Sequence, residues 1–177
     1  GRALALRRLR RLSLLSSEFR HFASAVESQV GGAVHGAAPA ALHAALRRAG
    51  TREPKPSDLY QLRDAIVAYA TDAHDACLLS ARDAPLRTSV DDALQLALDF
   101  RAAMRRSPPD RLLSDGGVYA AVQAIHARFK AITGALCGRL REAAADPGGA
   151  LGGVSPERAS ALLTRLDFNG FFLGDDD

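Results

Sequence analysis

The chain has 177 residues, 47% hydrophobic and 24% charged, with seven Phe, three Tyr and no Trp, which is enough for one compact domain and short for two. A core so poor in aromatics has to be built from Ala and Leu, and that suits close-packed helices better than a sheet. The net charge of +3 is concentrated at one end, because Arg2, Arg7, Arg8, Arg10 and Arg11 leave the rest slightly acidic, and no apolar run approaches the roughly 18 residues of a membrane span.

In chain order, Leu12, Leu15, Phe19, Phe22, Val26 and Val30 step by three and four, the spacing that keeps side chains on one helix face. Gly31, Gly32 and Pro39 predict a break between residues 31 and 39, followed by a shorter helix over 39–49. After a loop from Gly50 to Pro56, Ser57 or Asp58 is the expected cap of a helix carrying Leu59, Leu62, Ile66, Tyr69, Ala73 and Ala76 and stopping before Pro85. Thr88 or Ser89 is expected to cap the next, with Val90, Ala93, Ala97, Phe100 and Met104 on its stripe and Ser107-Pro-Pro-Asp110 as its stop. Val118, Val122, Ile125, Phe129, Ile132, Leu136 and Leu140 give the most regular pattern in the chain. Asp146 to Val154 reads as a flexible connector, and Ser155-Pro156 as the cap and first position of a last helix through Leu162, Leu163 and Leu166. No segment alternates with period two over strand length. The expected fold is all-α, an antiparallel bundle of about five to six helices.

Residue patterns associated with chemistry have plainer readings here. Gly148-Gly-Ala-Leu-Gly-Gly153 resembles a phosphate loop, but Val154 stands where the phosphate-reaching lysine belongs. Glu18 and His21 have the Glu-x-x-His spacing of di-iron bundles, yet the sequence has no second pair, so a solvated polar pair is the expectation. His35, His43, His74 and His126 are scattered singly and read as surface or interface residues. Cys77 and Cys137 have no Cys or His at ligand spacing and read as small core residues in a reduced, intracellular protein. No enzyme, metal or cofactor is expected. The arginines of Leu4–Leu15 suit an acidic surface, whether nucleic acid, membrane or protein, but without interleaved aromatics the preferred reading is that arginine stems border the bundle while the leucines pack. Neither a nucleic acid nor a membrane is an expected partner. The Arg-rich start lacks the apolar core of a signal peptide, so a soluble protein is expected, and the initial Gly suggests an excised or processed piece.

Leu162-Leu-Thr-Arg-Leu-Asp-Phe-Asn-Gly-Phe-Phe172 resembles the ending of the gamma-tubulin complex components, the GRIP-motif or spindle-pole-body proteins. Two upstream segments fall in the family's order. Ser57-Asp-Leu-Tyr-Gln-Leu-Arg-Asp-Ala-Ile-Val-Ala-Tyr69 with Cys77-Leu-Leu79 is similar to one family helix, with Ala65 or Ile66 in place of a histidine. Leu15-Ser-Ser-Glu-Phe-Arg-His-Phe22 is similar to another, with Ser28 and Gln29 where the family has two tyrosines and Pro39 near the place of a tryptophan. The closing Phe168-Asn-Gly-Phe171 leans towards the second component.

The resemblance implies that residues 1–177 form the C-terminal helical, gamma-tubulin-binding domain of a longer protein. It implies gamma-tubulin and other complex components as partners, microtubule nucleation as the function, and the cytoplasm, cytoskeleton and spindle pole or centrosome as the location. A helical adaptor that does not bind gamma-tubulin is the alternative. Arg165, Asp167 and Asn169 are the candidate partner-binding residues. The preferred reading is nonetheless structural: Leu166 and Phe168 anchor the last helix, Arg165 and Asp167 pair or cap, and Asn169-Gly170 takes the turn beyond it.

Overall fold

In the computed structural model the described residues are 2–35, 37–50, 56–146 and 154–167, and among them there is no strand. The helices are α1 (Arg2–His35), α2 (Ala37–Ala49), α3 (Pro56–Ala76), α4 (Ala84–Arg106), the short α5 (Pro109–Ser114), α6 (Gly116–Ala145) and α7 (Pro156–Leu166), with one 3-10 turn at Ala81–Asp83. The break expected between residues 31 and 39 is not seen among the described residues: α1 runs through Gly31 and Gly32 to His35, α2 takes up at Ala37, and residue 36 lies outside them. The 146–154 connector lies largely outside the described residues. Periodicity does not foresee α5, whose six residues are too few to show a repeat.

The core joins three long helices that are not consecutive in sequence. Phe19 of α1 stacks on Phe100 of α4 with ring centroids 4.6 Å apart and meets Phe129 of α6 at 4.4 Å; Phe22 of α1 meets Phe129 edge-on at 5.5 Å. Around these rings Leu12, Leu15, Leu86, Val90, Leu96, Val122, Leu136 and Leu140 are all buried. The contacts also give the directions. Arg8, Glu18 and Phe22 of α1 lie beside Tyr119, His126 and Phe129 of α6, so these two helices run the same way. Phe100 lies on Phe19 while Met104 and Ser107 face Leu9 and Ser13, so α4 runs against both.

Local chemistry sets three of the helix ends. Asp115 caps α6, its carboxylate accepting hydrogen bonds from the backbone N–H of Gly117 at 2.8 Å and of Val118 at 3.3 Å. Ser155 caps α7 through the N–H of Arg158, with Pro156 in the first turn. α3 closes in a Schellman pattern: Leu79 N–H donates to His74 C=O at 3.1 Å and Leu78 N–H to Asp75 C=O at 3.0 Å. The left-handed position of that motif, φ 55°, is taken by Leu78 instead of glycine. Its side chain is partly buried against the core, which offsets the roughly 1–2 kcal/mol of the left-handed conformation.

Three expectations are corrected. Thr88 and Ser89 do not cap α4; the helix starts at Ala84, Pro85 takes an early position where its missing N–H costs nothing, and both hydroxyls donate back to the carbonyls of Ala84 and Pro85. Neither Ser57 nor Asp58 precedes α3, since Pro56 already belongs to its first turn. The apolar stripe of α3 also stays out of the core. Leu59 is 57% exposed and Ile66 48%, with Leu62, Tyr69, Ala73 and Ala76 half-buried, because α3 lies on the small residues of α2 and touches α1 only along an edge.

Phe129→Ala should destabilise the domain by about 3–5 kcal/mol, the cost of removing a fully buried ring and leaving a cavity. Equilibrium urea unfolding of the two proteins checks it, and a loss below about 1 kcal/mol would contradict the place given to this ring at the centre of the core.

Candidate functional site

α7 carries the sequence-predicted residues, and its position follows from its apolar side. Ala159, Leu162 and Leu166 are buried against α6 and α1, and this burial contributes roughly 1.5–3 kcal/mol for each leucine. The polar side then reaches two neighbouring helices. Arg158 makes a two-pronged contact with α3, one guanidinium nitrogen 2.8 Å from Asp75 Oδ2 and the other 2.8 Å from Asp72 Oδ1. The Arg158 bond holds the Asp75 carboxyl below its ordinary pKa. Arg165 donates to Gln29 Oε1 at 2.5 Å and to the Ser28 carbonyl at 3.4 Å on α1, with Gly32 beneath its guanidinium. Between these two clamps, Gln29, Gly32, Asp72, Arg158, Ala161 and Arg165 line a shallow depression of about 320 Å³ where α1, α3 and α7 meet.

Of the candidate residues, Arg165 lies at this junction, and Asp167 ends α7, its N–H donating to the Leu163 carbonyl at 2.8 Å. Asp167 is also close enough to Cys137 to help raise its pKa. Asn169 and Phe168 lie outside the described residues, as do the expected turn at Asn169-Gly170 and the phosphate-loop-like segment up to Gly153. Sequence reasoning missed the Arg158–Asp72–Asp75 cluster, since nothing in either segment shows that α3 and α7 are neighbours. Ser28 and Gln29, the positions at which the chain departs from the family's tyrosines, turn out to receive Arg165.

The other chemistry-bearing residues have structural partners. The solvated Glu18–His21 pair is corrected: Glu18 points into the bundle and pairs with His126 Nε2 of α6, both side chains nearly buried, while His21 Nε2 hydrogen-bonds the carbonyl of Leu166 at 3.1 Å. His126 is correspondingly a core residue and not a surface one. The register explains both, because Glu18 is one position from Phe19 and α6 brings His126 to the same level. Cys137 is buried, and burial pushes its thiol pKa up to about 11, so it is not a poised nucleophile. The leucines of the Arg-rich start pack at Leu12 and Leu15, but Leu4, Leu6, Leu9 and Leu14 are exposed, contrary to expectation. Arg8 does lie along the bundle, over the Tyr119 ring and donating to the Leu113 carbonyl at 2.8 Å.

The family model for the C-terminal region of gamma tubulin complex components matches residues 2–172. The chain belongs to that family. The match spans the three segments that carry the resemblance, and family membership implies a role in the gamma-tubulin complex and so, in general terms, in microtubule nucleation. No match is found among curated proteins or among solved structures. Within the family frame, α7 is the helix bearing the Arg-Leu-Asp segment, and the two arginine clamps join it to the other two resembling segments, in α1 and α3.

Two outcomes follow. Glu18→Leu should cost about 1–3 kcal/mol by leaving His126 buried without its partner, and combining it with His126→Leu should recover part of that loss; a double-mutant cycle by denaturant unfolding measures the coupling. For Asp75, the folded pKa lies below the unfolded one, so the stabilisation is present above the unfolded value and lost as pH falls through the folded value. The stability difference between the parent and Arg158→Ala, about 0.5–1 kcal/mol for so exposed a cluster, should therefore be full at neutral pH and shrink below pH ~4; a difference independent of pH down to the acid limit would contradict the assignment.

Proposed function

We propose that this chain is a non-catalytic gamma-tubulin-binding domain, which holds gamma-tubulin within the complex and so supports templated microtubule growth at the spindle pole or centrosome. The observation that carries the reading is the family match over residues 2–172. The structure supports its non-catalytic part, because Glu18, His126 and His21 serve as internal ties and the Cys137 thiol is held protonated. Other gamma-tubulin complex components are the neighbouring partners under this reading, and Phe168–Phe171 leans the chain itself towards the second component. Any nucleotide would belong to the tubulin.

Within this function the role proposed for Arg165 and Asp167 is to hold α7. Arg165 is already engaged with Gln29 and Ser28, and Asp167 closes the helix, so both have work inside the domain. The full chain should retain gamma-tubulin in a pull-down at low micromolar concentration; a helical adaptor of another kind would not. Arg165→Ala combined with Asp167→Ala should lower stability by about 0.5–1.5 kcal/mol and weaken gamma-tubulin binding in step. Unchanged stability with abolished binding would instead make these residues a direct contact surface.

A further inference from the structure

A second concave region lies nearer the start of α1 than the α3–α7 clamps, between the first half of α1 and the α4–α5 corner. It is a groove of about 750 Å³, within the usual size of ligand and peptide sites. Its floor is apolar: Leu12 and Leu112 are buried there, Met104 and Leu113 are half-buried, and Leu9 stands at the open end with its side chain exposed. One turn before Leu9, Leu6 is exposed as well and continues the apolar line along α1. Ser13, Ser16 and Ser17 form a small-residue wall that leaves room for an incoming side chain. Among the described side chains, the charged residues on the rim are Arg20, Arg105 and Arg106, all exposed, and none of the lining groups is a carboxylate. Among the described residues none of these three guanidinium groups makes an ion pair or hydrogen bond.

We propose that this groove docks an acidic, leucine-bearing amphipathic helix of a partner protein. Leucines at i and i+4 of such a helix would enter over Met104 and Leu112, the helix-in-groove mode of recognition, while its glutamates or aspartates meet Arg20 on one side and Arg105 and Arg106 on the other. The charge complementarity selects the occupant. A basic or neutral helix would leave three unpaired cations around an apolar floor, and an acidic one neutralises them. Nucleic acid fits less well, because the described lining has no aromatic ring on which a base could stack. A lipid surface is flat, whereas the apolar residues here lie at the bottom of a cleft. The proposal does not depend on gamma-tubulin binding.

The test uses the full chain and a fluorescent synthetic helix of about 14 residues, roughly 21 Å long, with leucines at i, i+4, i+7 and i+11 and glutamates at most other positions. Fluorescence anisotropy should show saturable binding that weakens as salt is raised from about 50 to 300 mM. A version with lysines in place of the glutamates should bind at least about tenfold more weakly. Combined Arg20→Glu, Arg105→Glu and Arg106→Glu should lower affinity for the acidic helix by at least about tenfold and raise it for the basic one. Ser13→Trp, which fills the groove without changing charge, should also lower affinity by about tenfold with the thermal midpoint unchanged, and it serves if the triple variant does not fold. The proposal is overturned if the acidic helix fails to bind, if the lysine version binds equally well, or if folded variants keep the parent affinity. Tighter binding to single-stranded RNA or to phosphatidylserine vesicles than to the acidic helix, abolished by the same substitutions, would also overturn it in favour of those ligands.

Discussion

The contact of Phe19 with both Phe100 and Phe129 is what the remaining structure depends on. These rings belong to three helices, the first of them separated from the other two by the α2–α3 excursion, and in a chain without Trp they are the largest wholly apolar side chains available to fill the space between helices. Ala and Leu surround them, so the helices approach closely and the rings fix the level at which they meet. Once Phe19 is seated between α4 and α6, Glu18 faces His126 and Phe22 faces Phe129, and the parallel course of α1 and α6 is set. The α2–α3 pair then lies outside this centre, attached through the later turns of α1.

α7 shows how unequal contributions are combined at one helix. Its buried leucines supply most of the docking free energy, while the exposed arginine clamps, each worth at most about 1 kcal/mol at a solvated surface, fix its rotation and its neighbours. The Arg-Leu-Asp segment alternates accordingly: Leu166 enters the core, and Arg165 turns outward to α1. A short helix after a glycine-rich connector has few other means of holding one orientation. The helix that leads into the Arg-Leu-Asp segment is therefore also the one through which α1, α3 and α6 are held together at this end of the bundle.

The surface is not uniformly polar. Leu59, Tyr60, Ile66 and Val67 on α3 and Leu4, Leu6, Leu9 and Leu14 on α1 leave two groups of apolar side chains in contact with solvent. Scattered exposed leucines are common in soluble proteins, but grouping along single helices is what a domain that works by association presents. The two groups differ in electrostatic setting, since the α1 group continues into an arginine-rimmed groove and the α3 group surrounds the exposed Arg63–Asp64 pair, with Arg63 over the Tyr60 ring.

The all-helical class was legible in the sequence because period-three-and-four spacing is a local property: Phe19, Phe22, Phe100 and Phe129 mark the buried faces of their helices without any knowledge of what they meet. The start of α7 at Ser155-Pro156 was legible too, whereas the Asp115 cap of α6 was not, and the caps expected for α3 and α4 were misplaced. The family could be recognised from residues 162–172 together with two ordered upstream segments, and the match over residues 2–172 bears it out. Only the tertiary structure decided which residues of different helices become partners. Glu18 looked like half of a solvated pair because its partner, His126, is 108 residues away; the stripe of α3 looked like core because periodicity cannot tell a face covered by three helices from one covered by the small side chains of α2. Arg158 and the two aspartates of α3 gave no sequence signal for the same reason. Their meeting depends on how the chain returns after α6, and a return path is a property of the packed whole.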